Sequence, residues 1–267
     1  RLANWMSSKE NPFFAKALVN RYWKHFFKRA LIEPEDDIRD TNPPTNPELL
    51  AALEEHFINS GFDLKELVRV ITRSQTYQLS SQPNEHNLSD RQNYSRFYPR
   101  RMPAEVLLDS IDDLTGASTS FANLPTGTRA IALPDNSYNK SSAFLKVFGR
   151  PNSASVCECE RVQSSSLAQS LHLINSSQVK SKLAGGNGRA ARLAKAKMPT
   201  EQKIAELYLV AFSREPRPGE LKTAMDYLSE PLIDANGKPI AASTAAATNF
   251  QDLIWALMNT KEFLFNH

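Results

Sequence analysis

Apolar residues recur along this chain mostly at intervals of three and four, the period of helix faces, and rarely in strict alternation. In "NPFFAKALVNRYWKHFF", Phe14, Leu18, Tyr22 and Phe26 share one stripe, with Ala15, Val19 and Trp23 beside it. That spacing predicts a helix buried over a broad face, started by Asn11 as N-cap and Pro12 at the first helical position. "NPELLAALEEHFINSG" repeats the opening with Asn46 and Pro47 and stops at Gly61. "DLKELVRVITRSQTYQLS" begins at Asp63 and sets Leu64, Leu67, Val68 and Ile71 on one face. Between the first two helices, "LIEPEDDIRDTNPPT" is a proline- and acid-rich connector whose structure has to come from tertiary contacts.

A polar loop leads into "MPAEVLLDSIDDLTG", a predicted helix with Pro103 near its start and Gly116 at its close. From Ala117 to Val156 the helical pattern breaks, and "TRAIAL" is the best strand candidate there. So long a loop in a compact domain is uncommon without a function. Helices resume in "SSLAQSLHLINSSQVKSKL", where Leu167, Leu171 and Ile174 form a stripe. "GGNGRAARLAKAKM" reads as a flexible basic connection, and "TEQKIAELYLVAFSREPRPGELKTAMDYLSE" as a helix pair capped by Thr200 and turning at Pro216 and Pro218. "DANGKPIAASTAAATN" is low in complexity and reads as mobile. In the last helix, "FQDLIWALMNTKEFLFNH", Trp255, Leu257, Phe263 and Phe265 suit core packing. The expected fold is mainly α: a multi-helix globular domain with an irregular loop insertion and at most a small β element. Its parts are an N-terminal helical part (1–116), a loop-rich insertion (117–156) and a C-terminal helical part (157–267), read as one continuous domain. The first and last helices are expected to share one core.

Composition changes this picture little. Of 267 residues, 41% are hydrophobic and 23% charged, ordinary for a globular chain that can bury a core. A net charge of +3, with a basic run at Arg192, Lys195 and Lys197 that carries no interleaved aromatics, makes no nucleic-acid interface. No apolar run approaches the roughly 18 residues of a membrane span. The chain opens on Arg and reads as a fragment.

Seven stretches carry a family resemblance when taken in order: "NPFFAKALVNRYWKHFF", "NPPTNPELLAALEEHFINSGFDLKELVRVITRSQTYQLS", "FGRP", "CECER", "SLAQSLHLIN", "LYLVAFSREPRPGEL" and "DLIWALMNTKEFLFNH". Together they resemble the planctomycete cytochrome C-associated domain of unknown function, from about Asn11 to His267. The resemblance implies a C-terminal domain of a larger, exported bacterial protein, hence an extracytoplasmic location, with upstream domains and sometimes a c-type haem domain as partners. It implies no reaction. After the first helix the family tends to show Gly before and after a basic residue, where this chain has Lys28 and Ala30. No Cys-x-x-Cys-His motif occurs, so no haem or other cofactor is expected.

Candidate chemistry centres on Cys157 and Cys159. Two residues apart in extended chain, their sulfurs face one side and could meet a soft metal, form a strained bridge, or pack as thiols. A closed metal site needs about four ligands, so no metal is expected. Glu160 and Arg161 follow directly, and Arg150 in "FGRP" can clamp a carboxylate of the protein or of a ligand. Glu33, Glu35, Asp36 and Asp37 form an acidic cluster without calcium-loop spacing, better read as a solvated or Arg-paired turn. His25, beside Trp23 and Phe26, reads as a core histidine. Three functions follow. The leading one is a docking or binding module associated with cytochrome c-type partners. The alternative is an enzyme acting on an extracellular polymer through a cleft where Arg150, Glu160, Arg161 and an acidic residue from Glu33–Asp37, such as Asp36 or Asp37, converge. The third, a carbohydrate- or peptide-binding domain, needs Tyr94, Phe97, Tyr98 or Tyr138 exposed along a groove.

Overall fold

The computed structural model describes residues 1–134, 142–151, 169, 173, 176–234 and 236–266. Among them lie twelve α-helices and one two-residue ladder, β1 (Arg100–Arg101) with β2 (Phe265–Asn266), so the fold is mainly α. No helix among the described residues is long and apolar enough to cross a membrane. The chain forms two compact units, Arg1–Arg100 and Arg101–Asn266, each with its own buried core. The boundary precedes the helix that carries Leu107 and Ile111, which therefore packs with the C-terminal elements.

The first unit holds α1 (Leu2–Met6), α2 (Phe14–Phe27), α3 (Pro47–Asn59) and α4 (Leu64–Arg73). Regular helix in α2 starts at Phe14, yet Asn11 still caps: its Oδ1 accepts from the Phe13 and Phe14 N–H groups at 2.9 and 3.2 Å. Asn46 accepts from Leu49 N–H, Asp63 accepts from Lys65 and Glu66 N–H, and Gly61 takes φ +74° where α3 stops. The core is Val19, Trp23 and Phe27 of α2 against Leu50, Leu53 and Phe57 of α3 and Leu67 and Ile71 of α4. Leu64, expected on that face, is exposed.

The acidic connector is ordered from outside, as its composition requires. Asn20, fully buried on α2, donates to the carbonyls of Ile32 and Glu35 and accepts from Ile32 N–H, the last at 2.9 Å. Leu31 and Ile32 enter the core, and the Tyr94 hydroxyl lies 3.0 Å from the carbonyls of both Arg29 and Ala30. Tyr94 meets Trp23 edge-on at 5.3 Å between ring centroids.

In the second unit, α5 (Ala104–Thr115) is buried nearly all round, which makes it the central helix. Around it stand α6 (Ala143–Val147), α7 (Ser177–Leu183), α8 (Arg189–Lys195), α9 (Thr200–Phe212), α10 (Pro218–Ser229), α11 (Ala242–Met258) and α12 (Lys261–Leu264). "TRAIAL" is not a strand. Its Ala130–Ala132 segment is a 3-10 turn, held because the buried Asp109 carboxylate accepts from Ala130 and Ile131 N–H at 2.7 and 3.1 Å. "GGNGRAARLAKAKM" is more ordered than its glycines suggest: α8 buries Ala190 and Leu193. A Cβ on Gly188 would stand 3.1 Å from the Thr115 carbonyl, so this glycine serves a close approach. Thr200 is not a cap: α9 begins after Pro199 without a side-chain cap. The low-complexity segment turns at Asp234, whose carboxylate accepts from Asn236 and Lys238 N–H, and is helical from Ala242.

The expectation of a shared core for the first and last helices is overturned. The core of α2 and that of α11 are separate clusters, and Trp255 belongs to neither. In α11 the buried positions are Phe250, Leu253, Ile254, Leu257 and Met258, a regular helical stripe. Trp255 falls off that stripe and stays 37% exposed.

Candidate functional site

Of the residues proposed for a polar cleft, Arg150 and the acidic pair Asp36 and Asp37 belong to different units, and each is paired within its own unit. Asp36 pairs with Arg21 and Asp37 with Arg39, on an exposed turn of the first unit. Glu33 and Glu35 both meet Lys24. Burial opposes charge on Lys24, but the two carboxylates outweigh it and raise its pKa, while the Lys24 hydrogen bond lowers that of Glu35. Arg150 lies in the second unit. There its Nε stands 3.1 Å from Glu105 Oε1, with both side chains over nine-tenths buried. Its neighbours are tied down as well: Arg101 donates to the Phe148 carbonyl at 2.9 Å, and Gln169 to that of Val147 at 3.2 Å. Arg150 thus clamps a carboxylate of the protein itself. Cys157, Cys159, Glu160 and Arg161 lie outside the described residues. So does Tyr138.

Two further expectations fail on burial. His25 is exposed, its ring edge against Phe26. Tyr94 and Phe97 are buried, and Tyr98 is half-buried with its hydroxyl accepting from Tyr94 N–H, so these aromatics help to build the first unit. No group of three metal-ligating side chains occurs among the described residues.

A further site lies in the second unit. A cleft of about 740 Å³ runs between α10 and α11, a size suited to binding. One wall carries Gly219, Thr223, Ala224 and Tyr227; the other carries Asp252, Leu253, Trp255 and Ala256. Each wall is one helix face, because three- and four-residue steps return to the same side. Tyr208 of α9 also lines the cleft. At one end, the Arg214 guanidinium grips Glu220 at 2.8 Å through both of its NH groups and Glu262 at 2.6 and 2.8 Å. This fork joins the end of α9 to the starts of α10 and α12. Hydrogen bonds from Arg214 hold the Glu220 carboxyl down at about 2 despite partial burial, with Arg217 N–H adding to them. Further along, Tyr227 donates its hydroxyl to Asp252 Oδ2 at 2.9 Å. Burial first, and then the Asp252 carboxylate, push the Tyr227 phenol up to about 12. Both aromatics at the mouth are open to solvent, Tyr227 at 36% and Trp255 at 37%.

One signal for this site was present in the sequence. The stripe 250/253/254/257/258 defines the core face of α11, and a tryptophan at 255 sits beside that face. The partnership of Tyr227 with Asp252 had no sequence signal, since it depends on how α10 meets α11.

No curated protein and no solved structure matches the chain. The profile of the family described as "PSD1: Protein of unknown function (DUF1553)" matches residues 1–228, which takes in the whole first unit and the second as far as α10. Helix α11, one wall of the cleft, lies beyond the matched residues. With most of its length matched, the chain belongs to the PSD1 family, whose name corresponds to the planctomycete cytochrome C-associated domain of unknown function.

Proposed function

We propose that this chain is a non-catalytic docking module, which uses the α10–α11 cleft to hold another domain of its parent protein or a c-type cytochrome partner in an extracytoplasmic compartment. The observation that carries this reading is the cleft itself, mostly apolar and opening through two half-exposed aromatics. Exposed aromatic anchors at the rim of an apolar trough are what partner recognition uses. Several cations of the second unit are committed to holding the fold: Arg214 to Glu220 and Glu262, Arg189 to Glu206, and Lys182 to Asp112. The cytochrome partner and the compartment are proposed on the sequence resemblance alone.

Amide hydrogen exchange on this chain, alone and mixed with a c-type cytochrome domain or the upstream domains of its parent, tests the reading. Slowed exchange confined to 218–229 and 242–258, lost on Trp255→Ala, is expected. Protection elsewhere, or an unchanged Kd for the Trp255→Ala chain, overturns it.

A further inference from the structure

Which chemistry the cleft accepts is set by what lines it. Among the described residues, its charged lining is Glu220 and Asp252, with no lysine, arginine or histidine. Arg214 neutralises Glu220 from behind. Asp252 differs: among the described residues no ammonium or guanidinium stands within ion-pair distance, and its hydrogen bond comes from the neutral Tyr227 hydroxyl. Of the described lining hydroxyls, all but that of Tyr208 are committed within the fold. Thr223 donates to the Gly219 carbonyl at 2.9 Å, Thr260 to that of Leu257 at 2.7 Å, and Tyr227 to Asp252. An anion would meet two carboxylates, and a sugar would find few hydroxyl donors left to it. A cation would meet a carboxylate with one oxygen uncommitted among the described contacts, beside the half-exposed rings of Trp255 and Tyr227.

Length points to a helix as the bearer of that cation. The walls run from Gly219 to Tyr227 and from Asp252 to Leu257, about 8–12 Å of helix at 1.5 Å per residue. Two turns of a partner helix fill such a trough, whereas a free amine would occupy only the end near Asp252. We infer that the cleft selects an amphipathic helix of a partner protein that sets one lysine or arginine against Asp252 between flanking apolar residues. This rests on the docking role proposed above, and names the chemistry of its partner.

Three short helical peptides, identical but for a central lysine, glutamine or glutamate among alanine and leucine, serve as probes, with binding read by fluorescence anisotropy. Asp252 is exposed, so its attraction is screened and the expected preference is modest. The lysine peptide should bind about three- to tenfold more tightly than the glutamine peptide, and the glutamate peptide most weakly. That preference should shrink with added salt. In Asp252→Asn it should vanish while the glutamine peptide keeps its Kd, because an amide oxygen still accepts from Tyr227. Lysine and glutamine peptides of equal Kd, both weakened by Trp255→Ala, would overturn the charge selection and leave the docking role standing. No binding by any peptide overturns the helical partner, and hydrogen exchange then decides the docking role separately. If n-butylammonium alone competes as strongly as the lysine peptide, the helical partner is likewise overturned and the cleft is reassigned to free amines.

Discussion

Lys28 ends helix α2 at φ +68°, a left-handed position in which a Cβ is strained by roughly 1 kcal/mol or more. Its side chain is exposed, so nothing packed is lost on removing it. Glycine, which the family tends to place here, takes that conformation freely. Lys28→Gly should therefore stabilise the chain by about 0.5–1 kcal/mol, the relief of strain partly offset by greater freedom of the unfolded chain. Chemical denaturation measures it, and a lower midpoint would refute the assignment. The neighbouring departure behaves differently. Ala30 has no positive φ, is fully buried, and donates its N–H to Glu33 at 2.9 Å, so glycine is not required there. Glu220 supplies a second residue-level expectation. Its folded pKa of about 2 lies below its ordinary 4.5, so the stability it contributes is complete above pH 4.5 and is lost as pH falls toward 2. Glu220→Gln should flatten the acid limb of stability in that window while changing little of its shape above it. An acid limb of unchanged slope would mean that the Arg214 fork does not act on this carboxyl.

At the scale of helices, burial decides which side chains matter, and α11 gives the clearest contrast. Trp255 is half-exposed at the cleft, whereas the adjacent Ile254 is fully buried in the core. Ile254→Ala should cost about 2–5 kcal/mol and Trp255→Ala under about 1 kcal/mol, although the tryptophan is the larger residue. Thermal unfolding of both variants checks the order, and a reversed one would put Trp255 inside the core. The same contrast shows what was legible in the sequence. Helix starts at Asn46 and Asp63 and the stop at Gly61 could be read because a cap acts within three or four residues of itself. The 3-10 turn at Ala130 could not, because the carboxylate that satisfies its N–H groups belongs to Asp109, on another helix. Nor could the fate of Arg150, whose partner Glu105 is remote in sequence, or of the rim formed by Tyr227 and Asp252. Each of these is a tertiary pairing that periodicity does not encode.

For the molecule as a whole, the separation of the cores sets how it should unfold. Val19, Trp23, Phe27 and Phe57 share one cluster; Leu108, Ile111, Ile254 and Met258 share the other. Each unit has its own buried core and should melt as its own cooperative block, which would make the transition of the whole chain composite. A large-to-small change in one core then acts on that block. Trp23→Ala, removing a fully buried ring stacked 4.1 Å from Phe27, should lower the melting of the first unit by about 3–5 kcal/mol of stability. Ile254→Ala should lower that of the second, and the double variant should show the sum. Calorimetry with hydrogen exchange read separately over 1–100 and 101–266 distinguishes the blocks. If Trp23→Ala accelerated exchange in the core of α11 as much as in α2, the two units would be one folding block. The cleft of the second unit would then respond to every core change in the first, and a Trp23→Ala chain would lose affinity for a partner seated between α10 and α11. With independent blocks, that affinity stays as it was.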